Sequence, residues 1–143
     1  MDEQFKPLEN GMLIGPQPSE DNLRQARHEG IKTVIDFRMP GETPTPNAAL
    51  VERSGLAYVN IPVNKASLSL DQVDELDRAM RDKDGPFLIH CATGARAALL
   101  LVLSQARQNG WSAQRAFEEA RAMGFDLEKS PEFAEFVKST TSG

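Results

Sequence analysis

The sequence predicts an α/β fold, a mostly parallel central sheet flanked by helices on both faces. Three observations carry the prediction. The runs IKTVIDF (31–37), AYVNIPV (57–63) and PFLIH (86–90) read as strands, and each is followed by a segment that reads as a helix. Strands that alternate with helices imply right-handed crossovers and a sheet covered on both sides. The helical segments also carry their own start and stop signals, so the alternation does not rest on hydrophobicity alone.

The elements follow in order. FKPLENGMLIG places Asn10-Gly11 between two short apolar runs, a hairpin signal because both residues tolerate the positive φ of a type I′ turn. Ser19 can cap a first helix whose opening turn holds Glu20 and Asp21, with Gly30 as its stop. After the strand at 31–37, GETPTPN is loop. Thr45-Pro46 supplies a cap followed by proline at the first helical position, for a helix running to Gly55. Ser69 and Gln72 form a capping box ahead of Leu70, Val73, Leu76, Ala79 and Met80, which step by three or four. Gly85 closes that helix before PFLIH. Ala95 to Asn109 reads as a mostly apolar, buried helix with Gly110 at its left-handed cap. WSAQRAFEEARAMG and EFAEFVK, the latter after Ser130-Pro131, add two more helices, and the tail 139–143 is expected to fray.

Composition excludes several functions. With 143 residues, 40% of them hydrophobic, the chain suffices for a single domain over 1–143 with its own core. Its 16 basic and 21 acidic residues give a net charge of −5, which does not suit a surface that coats nucleic acid or a membrane. Any anion must be captured locally. One cysteine, an N-terminus without a basic stretch ahead of an apolar core, and no apolar run near about 18 residues predict a soluble cytoplasmic protein. Two histidines and one cysteine argue against a metal site, and no motif calls for a cofactor.

HCATGARAALLL (90–101) holds the chemistry. Cys91 follows a strand directly, where open α/β sheets bind their ligands. The loop amides of Ala92, Thr93, Gly94 and Ala95 can converge on an anion at the positive end of the next helix, and Gly94 lets the loop bend. Arg96 adds a guanidinium able to grip two oxygens. The same surroundings favour a thiolate, so the set suits attack on phosphorus or sulfur. A lone cysteine is more often a small buried hydrophobe, but the sequence strand, His-Cys, Gly at plus three, Arg at plus five, helix points the other way. His90 is expected to brace the loop from the core, and His28 to lie on the surface.

This loop, together with GMLIGPQPSEDNLRQARHEGIKTVIDFR and LAYVNIPV, resembles the bacterial beta-lactamase-hydrolase-like phosphatases, a branch of the cysteine-dependent tyrosine and dual-specificity phosphatase fold. The resemblance covers roughly residues 5 to 110. It implies a phosphocysteine on Cys91, phosphate binding by Arg96 and residues 92–95, and a phosphorylated protein or small molecule as substrate. The chain departs from the wider superfamily in three places. Its loop has one residue fewer between cysteine and arginine, and Ala97 stands where a hydroxyl residue usually follows. The slot for an acidic proton donor after AYVNIPV reads Asn64-Lys65. Asp71 is the candidate general acid, with Asp74 further along; both also suit a helix start. Glu42 can face the site as well, and Asp36 is expected to fix backbone at its strand end. The shorter loop and IDFRMPGE echo rhodanese-type sulfurtransferases, which carry a persulfide on the cysteine. A degenerate, non-catalytic phosphate-binding module is the third reading.

Overall fold

The computed structural model describes residues 3–42 and 47–141. The chain opens with a hairpin, β1 (Lys6–Pro7) and β2 (Leu13–Gly15), paired antiparallel. Its turn has Asn10 at φ 61° and Gly11 at φ 76°, closed by the Met12 N–H donating to the Glu9 carbonyl at 3.3 Å, as the Asn-Gly pair predicts. Then follow α1 (Glu20–His28), β3 (Thr33–Asp36), α2 (Asn47–Arg53), β4 (Ala57–Asn60), α3 (Leu70–Asp82) and β5 (Phe87–His90). Three further helices complete the chain: α4 (Ala95–Asn109), α5 (Ala113–Ala122) and α6 (Pro131–Thr140). The sheet order is β1-β2-β5-β3-β4, parallel throughout except for β1.

Capping explains why the helices start where they do. Ser19 and Ser69 each accept from backbone at their helix start while Asn22 and Gln72 reach back to the cap N–H. The box at Ser69 is the predicted one. Ser130 caps α6 with Pro131 in its first turn, and Gly110 ends α4 at φ 66°. The predicted cap at Thr45-Pro46 lies outside the described residues, as do 142 and 143.

Neighbouring strand residues point to opposite faces, so one strand feeds two cores. Ile14, Ile35 and Ile89 meet α3 to α6, whereas Leu13, Val34 and Leu88 meet α1 and α2. Helix α4 is covered almost all round: every residue from Ala97 to Ser104 is buried. The expected flanking of both faces therefore holds.

Three boundaries differ from expectation. The strand expected over 57–63 ends its ladder at Asn60 because Pro62 has no N–H to give. The extended course nonetheless persists, with Ile61 and Val63 donating to Asp36 and Phe37. The 31–37 run keeps only Thr33–Asp36 as strand. The tail expected to fray from 139 is helical through Thr140, because Val137 is fully buried and its carbonyl accepts from the Thr141 hydroxyl and N–H.

Leu100 has no solvent exposure at the centre of α4. Leu100→Ala should lower stability by about 2–5 kcal/mol, the usual cost of emptying a leucine site. Urea denaturation checks this through a lower midpoint at unchanged m-value.

Candidate active site

β5 lies between β2 and β3, so its carboxyl end opens into the middle of the sheet edge, and Cys91 is the next residue. Three residues span from there to α4. Gly94 takes φ 104°, a left-handed conformation that a residue with a Cβ adopts only under strain, and this turns its N–H back onto Cys91 Sγ at 3.0 Å. The Ala95 N–H donates to Thr93 Oγ1 at 3.3 Å, and the Ala92 carbonyl accepts from the Gln17 N–H at 3.4 Å. The thiol is 1% exposed.

Arg96, in the first turn of α4, is held from one side. Its Nη1 and Nη2 donate to Glu42 Oε1 at 2.6 Å and Oε2 at 2.9 Å, and Nη1 donates also to the Val63 carbonyl at 3.0 Å. Glu42 in turn accepts from the Met39 N–H at 2.6 Å. This pairing pushes the arginine further up from its ordinary value, with the Cys91 sulfur adding in the same direction. It holds the Glu42 carboxyl below its ordinary range.

Beneath the loop is a buried polar cluster. Asp36 Oδ1 accepts from the Arg38 N–H and Nε, while Oδ2 accepts from Arg38 Nη2, Asn47 Nδ2 and Tyr58 Oη at 2.7–3.1 Å. Burial alone would raise the Asp36 carboxyl, but Arg38, His90 and Tyr58 together bring it below its ordinary value. Burial and the adjoining Asp36 push the Tyr58 hydroxyl up. His90 is fully buried, and desolvation lowers it from 6.5 to about 4, so the ring is neutral near pH 7. The network assigns its tautomer: Nε2 accepts from Asn47 Nδ2 at 3.1 Å, leaving Nδ1–H for the Cys91 carbonyl at 3.4 Å.

Residues 4–108 match the family described as Beta-lactamase hydrolase-like protein, phosphatase-like domain. The chain belongs to that family. A beta-lactamase hydrolase-like protein of Xylella fastidiosa is 30% identical over 121 residues, covering 81% of this chain and 28% of the relative. The chain thus spans less than a third of the curated relatives it first matches. A candidate phosphatase of Neisseria meningitidis has the same fold, with TM-score 0.79 at 25% identity over 96% of this chain and 97% of that one. P. aeruginosa TpbA in complex with phosphotyrosine shares the fold at TM-score 0.71 and 19% identity, covering 90% and 79%. Membership makes this chain a phosphatase-like domain, and its fold is cysteine phosphatase-like.

Several expected residues of this phosphatase-like domain come together. Cys91, the loop 92–94 and the first residues of α4, Ala95 and Arg96, lie together, His90 braces Cys91 from below, and Glu42 reaches Arg96. Asp36 does fix backbone, through the Arg38 N–H. Asp71 does not join them by any bond. It lies exposed in the first turn of α3, where its N–H donates to Ser69 Oγ at 3.1 Å, and no bond or ion pair engages its carboxylate among the described residues. Asp74 pairs with Arg107 at 2.8 Å. Glu42 cannot replace them as a proton donor at neutral pH, because Arg96 keeps it ionised. Arg38, Asn47, Tyr58 and Gln17 were not legible as residues around the loop; only the Asp-x-Arg spacing hinted at the first. No cluster of three or more metal-ligating side chains occurs among the described residues, and no described helix is long and apolar enough to cross a membrane.

A neutral buried histidine makes stability depend on pH. Unfolded His90 takes up a proton near 6.5 and folded His90 only near 4, so its contribution is complete above the unfolded value and is lost as pH falls through that window. Stability should drop by up to about 3 kcal/mol between pH 7 and 4. Urea titrations across this range, repeated on His90→Gln, should show a shallower slope in the variant; parallel slopes would exclude His90 as the cause.

Proposed function

We propose that this domain hydrolyses phosphate monoesters through a phosphocysteine on Cys91, aryl esters before alkyl esters. The observation that carries the reading is the Gly94 N–H aimed at Cys91 Sγ beside the Arg96 guanidinium, donors that suit a bound oxyanion. The N–H groups of Arg96 and Ala97 lie in the first turn of α4, where a helix lacks internal acceptors, and add to the cradle.

The thiolate attacks phosphorus, the ester P–O bond breaks, and the departing oxygen leaves with the bonding pair. Water then attacks phosphorus, the P–S bond breaks, and phosphate and thiolate are released while the water proton passes to solvent. With Asp71 exposed and Glu42 ionised, the first step suits leaving groups that need little protonation, as a phenolate is. The phosphotyrosine bound by TpbA supports a phosphotyrosine-like substrate. A single free thiol with this duty fits a reducing, cytoplasmic setting.

Loop length favours a second reading. Four residues separate Cys91 from Arg96, the spacing of rhodanese-type sulfurtransferases. There the thiolate takes the sulfane sulfur of thiosulfate and releases sulfite; cyanide then removes that sulfur as thiocyanate and regenerates the thiolate.

Cys91→Ser should abolish aryl phosphate turnover with the fold retained, and Arg96→Lys should reduce it on the order of a hundredfold because a point charge replaces a two-pronged donor. Substantial turnover by the folded serine variant would eliminate the covalent route. Assaying thiosulfate-to-cyanide transfer on the same preparation decides between the readings: Cys91-dependent sulfur transfer without phosphatase activity would replace the first by the second.

A further inference from the structure

The C-terminal part of the chain lies beyond the family match at 4–108, yet one of its residues touches the cradle. A Cβ placed on Gly94 would lie 2.5 and 2.8 Å from Cζ and Cε1 of Phe125, and 3.3 Å from the carbonyl carbon of Gly15. The tip of the Phe125 ring therefore rests on the bare α-carbon of the residue whose N–H meets Cys91 Sγ.

Phe125 is itself fixed from both sides. Its N–H donates to the Ala120 carbonyl at 3.0 Å across Gly124, which stands at φ 96°, so the ring leaves α5 in a set direction. On the far side Asp126 Oδ1 accepts from the Glu128 N–H, and Leu127 is 2% exposed in the core. The loop is thus gripped between the end of β2 and the connection after it, through Gly15 and the Gln17 N–H on the Ala92 carbonyl, and the connection between α5 and α6, through Phe125. Glycine has a wide choice of backbone conformations, and the one Gly94 adopts aims its N–H at the sulfur.

We propose that Phe125 is a positioning residue: by closing on Gly94 it holds the cradle in the conformation that places the loop N–H on Cys91 and on a bound anion. This rests on the reading of Cys91 as the centre of an anion site. Removing the ring frees Gly94 to relax, so the cost falls on anion binding and turnover more than on global stability. A larger or polar residue at 94 would meet Phe125 first, so the two positions act as one contact.

The test compares Phe125→Ala, Phe125→Leu and Leu127→Ala by two readouts, aryl phosphate kinetics and protection of the sole cysteine from iodoacetate by inorganic phosphate. Leu127→Ala loosens the same segment without touching Gly94. Phe125→Ala should lower kcat by about ten- to a hundredfold and weaken phosphate protection, the scale on which small misplacements act. Phe125→Leu, which keeps apolar bulk, should recover most of both. Leu127→Ala should lower Tm while keeping kcat and protection. Undiminished kcat and protection in Phe125→Ala, or losses in Leu127→Ala matching those in Phe125→Ala, would overturn the role. Absence of phosphate protection in the wild-type chain would instead overturn the anion reading and this inference with it.

Discussion

The buried carboxylate of Asp36 is the constraint on which the site depends. It is 1% exposed and its partner Arg38 is 4% exposed, so both charges have left water, a transfer that is costly unless every lone pair is engaged. Here the engagement is complete enough to join four elements. Arg38 follows β3, Asn47 opens α2, Tyr58 sits in β4, and His90 ends β5; Asn60 of β4 adds bonds to the Asp36 and Arg38 carbonyls at 2.7 and 3.1 Å. Removing one partner leaves an uncompensated charge, which is why such clusters tolerate little change. The carboxyl ends of β3, β4 and β5 are thereby tied together beneath the cysteine loop.

That lock sets what His90 does. A histidine beside a carboxylate would ordinarily gain a proton, but Asp36 is saturated by Arg38, Asn47 and Tyr58, and desolvation dominates. The neutral ring then serves as a bridge, accepting from Asn47 and offering its other N–H to the Cys91 carbonyl. Positive charge is supplied to the sulfur from above instead, by Arg96 and by the start of α4, where it faces an incoming anion. Separating the neutral brace below from the cationic group above keeps the attracting charge on the substrate side.

The sequence made most of the fold legible because its signals are local. Ser69 with Gln72, Asn10-Gly11 and Gly110 each act within a few residues, and each behaves as expected. Cys91, Gly94 and Arg96 were legible as candidates for the same reason, since six consecutive residues carry them all. Glu42 was legible only as a possibility, and Asn47, Gln17 and Phe125 not at all. The sheet order β2-β5-β3 and the packing of the α5–α6 connection bring them to their partners from 31 to 75 positions away in the chain, and no periodicity records that meeting. Asp71 shows the converse limit: an acidic residue in a capped first turn satisfies its helix without needing the site.

The Arg96 hydrogen-bond pattern shows how an ion pair with Glu42 is compatible with anion capture. A guanidinium has five N–H donors. Both donors of Nη1 are taken, one by Glu42 and one by Val63, and one donor of Nη2 is taken by Glu42. What remains uncommitted to oxygen is the edge formed by Nε and the second Nη2 hydrogen, two parallel donors with the spacing of two phosphate oxygens. Glu42 and Val63 therefore hold the group from the side and fix its plane, which removes the rotamer freedom a long side chain would otherwise lose on binding. The same bidentate pairing keeps Glu42 ionised, so the carboxylate that reaches the loop is an orienting group and not an acid. A site built this way has its cation aligned before an anion arrives and no proton source bonded beside it among the described residues, which is why the proposed reaction favours leaving groups that depart as stable anions.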